Sequence, residues 1–248
     1  IRDRSPSRGL GDVYKRQVLI SDLHLHESDL ALYDKFERFL SSKVNGFDNL
    51  FILGDLFETW IGDDNESEFN KNVIEILKKV STDGIKVFLM HGNRDFLIGE
   101  NFCSSIKAKL LSDYHIYEDG ASKILLLHGD TLCTDDVRYQ EFRKLVRDKS
   151  WRDDFLSKSL QERFDIASGL REMSSEETGN KKNEIMDVNQ ESVSKISSEF
   201  SINKMIHGHT HRPFIHKDEK LVRVVLSDWE NEVNYATVID GEISLETF

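Results

Sequence analysis

The sequence holds only two cysteines, Cys103 and Cys133, in 248 residues. Two are too few for a disulfide framework, so both read as buried free thiols in a reducing, cytoplasmic compartment. No apolar run reaches the roughly 18–20 residues that a membrane span needs. Nor does the N-terminus carry the apolar stretch of a signal peptide. Positive charge is scarce: 33 Lys and Arg against 45 Asp and Glu leave a net charge of −12. That excludes broad nucleic-acid binding. A polyanionic substrate would have to be held locally, by metal ions or a small basic cluster.

What is present is an ordinary globular composition, 38% hydrophobic and 31% charged. The length suits one large α/β domain, or a core with a small insert. Ile1 to Gln17 stands apart, with no initiating Met and no apolar periodicity. Its run Asp12-Val13-Tyr14-Lys15-Arg16-Gln17 resembles a translated transposon end used in sequencing libraries. Residues 1–17 are therefore set aside as a foreign, adapter-derived segment, a natural disordered tail being the alternative. On this reading the native chain begins near Val18, and a foreign segment completes the strand ending Val18-Leu19-Ile20 poorly.

Five short apolar runs each end in a polar cluster. They are Val18–Ile20 before Asp22, Leu50–Leu53 before Gly54-Asp55, and Val87–Met90 before His91-Gly92-Asn93. Ile124–Leu127 precedes His128-Gly129-Asp130, and Met205-Ile206 precedes His207-Gly208-His209. Such runs predict strands buried on both faces. Helical spacing falls between them, with Leu32, Phe36, Phe39 and Leu40 on one face and Phe69, Val73, Ile76, Leu77 and Val80 on another. Alternating strands and helices predict an α/β layered core whose ligands sit beyond the carboxyl ends of the strands. The tail from Val222 predicts short strands, with a turn at Asp240-Gly241.

Residues 137–185 break this rhythm. Phe142, Leu145, Val146, Trp151, Phe155, Leu156, Leu160 and Phe164 are spaced for amphipathic helices. Residues 137–172 carry nine Lys and Arg against seven Asp and Glu, inside an acidic chain. This predicts a helical lid inserted into a core of 18–136 and 186–248. The plainer alternative is a helical excursion that only completes the core.

The candidate ligands are Asp22, His24, Asp55, Asn93, His128, His209 and His211. Each follows a predicted strand, so all converge on one edge. Mixed carboxylate, amide and imidazole donors suit Mn, Fe or Zn, and the lack of Cys ligands argues against a structural zinc site. Seven ligands suit two ions, which can clamp the attacking and leaving oxygens of an in-line displacement at phosphorus. Glycines at 54, 92, 129 and 208 fit tight turns beside the ligands.

The ordered set Asp22-Leu23-His24, Gly54-Asp55, Gly92-Asn93-Arg94-Asp95, His128-Gly129-Asp130 and Gly208-His209-Thr210-His211 resembles the calcineurin-like metallophosphoesterase superfamily. The resemblance implies a four-layer α-β-β-α sandwich, with two ions bridged by Asp55. Most of that superfamily carries His where Arg94 stands. Arginine stays protonated, so it cannot be a general acid, but it can fork onto phosphate oxygens. A phosphate leaving group needs no proton, its second pKa being about 6. Arg94 therefore points to a diphosphate bond.

Longer strings narrow the resemblance. They are Gly54–Glu58 with Trp60–Asp64, His91–Leu97, His128–Asp136, Ile185–Gln190 and His207–Pro213. Together they are similar to the UDP-2,3-diacylglucosamine diphosphatase family of lipid A biosynthesis, over essentially all of Val18 to Phe248. This implies hydrolysis to UMP and 2,3-diacylglucosamine 1-phosphate, Mn²⁺ as the preferred ion, and a peripheral position on the cytoplasmic face of a Gram-negative inner membrane. By position, substrate contacts would be Asn93, Arg94, Asp136, Ser174, Thr178, Lys181 and His209. The family usually has Asn where Thr178 stands, and Thr lacks the amide's second donor. The lid would then shelter two acyl chains with Phe142, Trp151, Phe155 and Phe164. The nearest alternative is a soluble nucleotide-sugar or dinucleotide pyrophosphatase, which has no use for an apolar lid. A protein phosphatase lacks support without the acid, and a scaffold without turnover would need broken ligands.

Overall fold

A strand covered on both faces has no polar side to show, so continuous apolar runs become the central strands of a sheet. The computed structural model describes residues 15–180, 187–230 and 233–248, and over 173–180 the backbone alone. Strands β1 (Arg16–Ile20), β2 (Asn49–Leu53) and β3 (Lys86–Met90) run parallel at the centre of a six-stranded sheet. β2 is buried at every position. Helix α1 (Leu30–Ser42) follows β1 and α2 (Glu68–Thr82) follows β2, with the Asp29 and Ser67 side chains accepting the first free backbone N–H groups. Short α3 (Glu100–Ser105) leads to the edge strand β4 (Lys109–Leu110).

Alternation along each strand sorts the core into two clusters. Val18, Ile20, Leu50 and Ile52 meet Phe36, Phe39, Val73 and Leu77 from α1 and α2. Leu19, Phe51, Leu53 and Met90 face the other way, towards a second sheet. That sheet has the order β5 (His115–Asp119), β6 (Ser122–Leu126), β7 (Lys204–His207), β9 (Val222–Val225) and β8 (Phe214–Lys217). Helix α7 (Gln190–Glu199) adds Val193 to the second cluster. The layers run helix, sheet, sheet, helix, as the α-β-β-α reading expects.

The chain then crosses back. Trp229 lies edge-on to Phe36 and Phe39, with ring centroids 5.8 and 5.2 Å away. Strands β10 (Asn234–Ile239) and β11 (Glu242–Thr247) rejoin the first sheet, β10 antiparallel to β1. Their turn is Asp240-Gly241, with φ of 53° and 71°. Two positive φ angles are what a two-residue hairpin of this twist requires.

Between β6 and α7 the described chain is helical, with no strand. A short 3-10 turn (Asp130–Leu132) is followed by α4 (Val137–Arg147), α5 (Lys149–Leu156) and α6 (Leu160–Asn180). Among the described residues no helix is long and apolar enough to cross a membrane.

One detail departs from the sequence reading. β1 starts inside the segment set aside, with Arg16 opposite Ile239 and Gln17 opposite Val238. Gln17 is fully buried, and its Oε1 accepts from Asn49 Nδ2 at 2.5 Å. Ladder pairing uses backbone groups, so residues of any origin can extend the strand, and this glutamine also finds an amide partner.

Candidate active site

The loops after β1, β2, β3, β6 and β7 lie at one edge of the paired sheets, and they carry all seven expected ligands. Beyond the strands, Asp22 N–H donates to Gly54 O (3.1 Å) and His24 N–H to Asp55 O (2.9 Å), so the first two loops run side by side. Eight described non-glycine residues have positive φ, and five of them are Asp22, His24, Asp55, His209 and His211. Each such residue costs of order 1–3 kcal/mol, a strain that collects where function sets the geometry. The turns are also packed to the limit of glycine. A Cβ at Gly92 would overlap Asp55 Oδ1, and one at Gly208 would overlap Asp22 Oδ2.

Asp22 is wholly buried. Its Oδ2 accepts from the His209 backbone N–H at 2.9 Å, while Oδ1 lies 3.4 Å from His211 Nε2 and has no hydrogen bond among the described residues. Asp55 Oδ2 sits 3.8 Å from His24 Nε2 and 3.7 Å from His128 Nε2, between the two rings. Asn93 Oδ1 lies 3.0 Å from His128 Nε2 and 2.9 Å from His209 Nδ1. The Nε2 atoms of His24 and His211 face each other at 3.3 Å.

This donor set fits divalent cations. Asp22, His24 and His211 form one group of ligand atoms within 4.8 Å of one another, and Asp22, Asp55 and His128 form a second. Three rings are held from behind with Nε2 pointing inward: His128 Nδ1 bonds Leu53 O at 2.9 Å. His24 Nδ1 lies 2.8 Å from Glu58 Oε2 and His211 Nδ1 lies 3.2 Å from Asp228 Oδ2, close contacts rather than aligned hydrogen bonds. Outer partners of this kind fix the ring and raise its basicity as a ligand. The electrostatics agree. Burial would lower the His128 pKa, but Asp55, Asp22 and Asp130 overcome it and raise it. Burial would raise the Asp22 carboxyl, but His211, His128 and His24 hold it well below the usual range. Burial and then His128 push His209 down to about 4. A field that draws a proton onto a buried imidazole draws a cation equally.

Arg94 lines an open cleft beside this cluster, and its buried Nε has no hydrogen-bond partner among the described residues. Asn93 shares the wall, with Trp60 and Phe96 from the core and Tyr139, Phe142, Trp151 and Phe155 from α4 and α5. Phe164, expected in the same wall, is 55% exposed and does not line the cleft. The inward residue of that turn is Arg163, buried and bonded to Ile61 O (2.8 Å) and Asp64 Oδ1 (2.7 Å), which leaves Phe164 turned to solvent. Asp136 caps α4, its Oδ1 accepting from Tyr139 N–H at 3.1 Å. The Ser174 and Thr178 side chains and all of Lys181 lie outside the described residues.

Sequence reasoning assigned no role to Glu58 and Asp228. Glu58 lies one helical turn's spacing after Asp55, and Asp228 follows the apolar run ending at Leu226. An acid just past a strand that ends near the ligands was the available signal. Asp95, whose carboxylate accepts from Gly92 N–H and Leu56 N–H, both at 2.8 Å, was also passed over as a brace of the second and third loops.

The chain belongs to the calcineurin-like phosphoesterase family, which it matches over residues 15–213. It is a metal-dependent hydrolase of that family. A Haemophilus influenzae protein named UDP-2,3-diacylglucosamine hydrolase is 44% identical over 94% of this chain and 97% of its own length. Proteins of that name from Neisseria meningitidis, 42% identical over 92% and 95%, and from Chromohalobacter salexigens, 41% identical over 86% and 88%, are similar to it as well. A solved archaeal phosphodiesterase superposes with a TM-score of 0.48 at 11% identity, over 94% of this chain and 99% of its own; the family assignment rests on the sequence matches.

Proposed function

We propose that this chain hydrolyses the diphosphate of UDP-2,3-diacylglucosamine, giving UMP and 2,3-diacylglucosamine 1-phosphate, in lipid A biosynthesis. The observation that carries this reading is the cleft: it joins Asn93 of the ligand cluster, and Arg94 with a buried Nε unpartnered among the described residues, to an apolar wall of Phe142, Trp151 and Phe155. The relatives' shared name supports it. Asp22, His24, Asp55, Asn93, His128, His209 and His211 would hold two divalent ions, Mn²⁺ by preference. When bound, such ions neutralise phosphate charge and lower the pKa of water at the centre.

The chain's own residues do the rest. Arg94 offers a fixed positive charge and free N–H groups to the diphosphate oxygens. It need not deliver a proton, because the departing sugar phosphate is a stable anion near neutral pH. Phe142, Trp151 and Phe155 cover the acyl chains and keep water from the apolar end of the substrate. Asn93, Asp136, Ser174, Thr178, Lys181 and His209 complete the proposed substrate contacts, and residues 137–185 act as the lid. Leu145, Leu156, Leu160 and Phe164 are exposed on α4 to α6 beside several Arg and Lys. That combination suits a peripheral seat on the cytoplasmic face of an anionic inner membrane.

The test is UMP release by the Mn²⁺-loaded protein from UDP-2,3-diacylglucosamine and, in parallel, from UDP-N-acetylglucosamine. Turnover of the acylated compound alone is expected. Equal or better turnover of the acyl-free compound would replace the lipid reading with a soluble nucleotide-sugar pyrophosphatase.

A further inference from the structure

Helix α4 does two things at once. One stretch of it, Tyr139 and Phe142, forms part of the cleft wall. Its last turn reaches past the cleft to the loop that carries Asn93. Arg147 Nη2 donates to the Gly92 carbonyl at 2.9 Å, and its guanidinium lies over the Phe96 ring, 5.5 Å from the centroid. Arg147 Nη1 also meets Asp113 Oδ1 at 3.3 Å. Asp113 Oδ2 accepts from Arg143 Nη2 at 2.6 Å, and Arg143 Nε donates to the buried Asp130 Oδ2 at 2.7 Å.

The two arginines therefore touch the loops that follow β3 and β6, one residue before Asn93 and two residues after His128. Within the 91–95 loop Asp95 accepts from the Gly92 N–H and, with its other oxygen, from the Leu56 N–H of the loop after β2, and Gly92 has no space to shift towards Asp55. The Gly92 carbonyl belongs to the peptide whose N–H is that of Asn93, so holding that oxygen orients the peptide plane from which the Asn93 side chain springs. A planar guanidinium can serve the carbonyl and Asp113 together, which a point-charge ammonium cannot match.

We infer that Arg147 is a positioning residue: by holding the Gly92 carbonyl and Asp113, it sets where Asn93 Oδ1 lies between His128 and His209, and so ties the cleft wall to the metal cluster. The inference rests on the metal-centre reading above, not on the identity of the lipid. Loss of such an outer partner typically costs about 10–100-fold in metal affinity or activity.

The experiment compares wild type, Arg147→Met and Arg147→Lys by two readouts. The first is Mn²⁺ affinity of the metal-stripped protein, followed by the electron paramagnetic resonance of free Mn²⁺. The second is kcat and KM for UMP release at saturating Mn²⁺. Expected for Arg147→Met is Mn²⁺ binding weaker by roughly 10-fold or more, with kcat lowered and KM within about 2-fold. Arg147→Lys should recover part of the affinity, since Lys can still reach one of the two acceptors. Unchanged Mn²⁺ affinity and kcat in Arg147→Met, with only a lower melting temperature, would overturn the inference and leave a structural ion pair. Failure of wild type to cleave the acylated substrate would refute the proposed function alone, because the Mn²⁺ titration still decides the role of Arg147.

Discussion

The backbone N–H of Arg94 donates to Asp55 Oδ1 at 2.8 Å. With that oxygen occupied, Asp55 presents only Oδ2 to the imidazoles of His24 and His128. One carboxylate is thus divided between holding the third loop and serving both halves of the ligand cluster. Asp55→Asn keeps an acceptor for Arg94 N–H but removes the shared negative charge. It should lower metal-dependent turnover by more than the roughly 10–100-fold typical of an outer partner, with the fold retained by circular dichroism. Turnover within a few-fold of wild type would remove Asp55 from its shared position.

Glu58 and Asp228 stand behind His24 and His211, and Glu58 also lines the cleft. Arg171 holds Glu58 in turn, through its side chain and its carbonyl. Glu58→Gln and Asp228→Asn should each weaken metal affinity and kcat by about 10–100-fold. KM should move little for Asp228→Asn, because Asp228 does not line the cleft, whereas Glu58→Gln can raise KM as well. A change confined to KM in Asp228→Asn would assign Asp228 to substrate binding instead.

His207 gives the protein an acid-sensitive point. Burial, and then the Arg223 guanidinium, push its pKa down to about 3 from 6.5. Its Nε2 accepts from Arg223 at 3.0 Å and its Nδ1 donates to Gly208 O at 2.9 Å, an arrangement only the neutral ring can make. The folded state keeps this ring neutral while the unfolded chain takes up a proton near 6.5. The contribution is therefore complete above pH 6.5 and is lost as pH falls from there towards 3. The melting temperature of metal-free protein should fall across that window. His207→Gln, which stays neutral, should flatten the slope between pH 6.5 and 4.5. An unchanged slope would place the acid sensitivity elsewhere.

Neither cysteine is poised for reaction. Burial, then Asp130 and Asp187, push the Cys133 thiol up to about 12. Burial, then Asp63 and Glu100, push Cys103 up to about 11. At pH 8 the thiolate fraction is about one in a thousand or less, and thiolate is the reactive form. Ellman's reagent should find no fast thiol in the native protein and both in guanidinium. Rapid stoichiometric labelling of the native protein would contradict this placement.

Much of the site could be read from the chain because each ligand follows an apolar run. Asp22, Asp55, Asn93, His128 and His209 were all placed by that single rule. The Asp240-Gly241 turn was legible for a similar reason, since both residues tolerate positive φ. Glu58 and Asp228 were not, because an acid becomes an orienting partner only when a ring from another loop arrives beside it. Strand β5, His115–Asp119, is only half-buried at the edge of its sheet and shows no apolar run. Phe164 shows the limit of helical spacing: it reports an apolar stripe, but the buried contact of that turn went to Arg163, whose polar partners lie on the core.

The position of β1 has a consequence for how the molecule is made. β1 is flanked by β2 on one side and by β10 on the other, so its second neighbour is translated nearly a whole chain length later. Asp228, behind His211, arrives in the same late segment. Pairings of such long sequence separation form slowly, and a chain still being synthesised exposes the unpaired edge of β1. His209, His211, Asp228 and β10 are all made after the first three strands, so the ligand cluster and the first sheet are both completed by the same late stretch of chain.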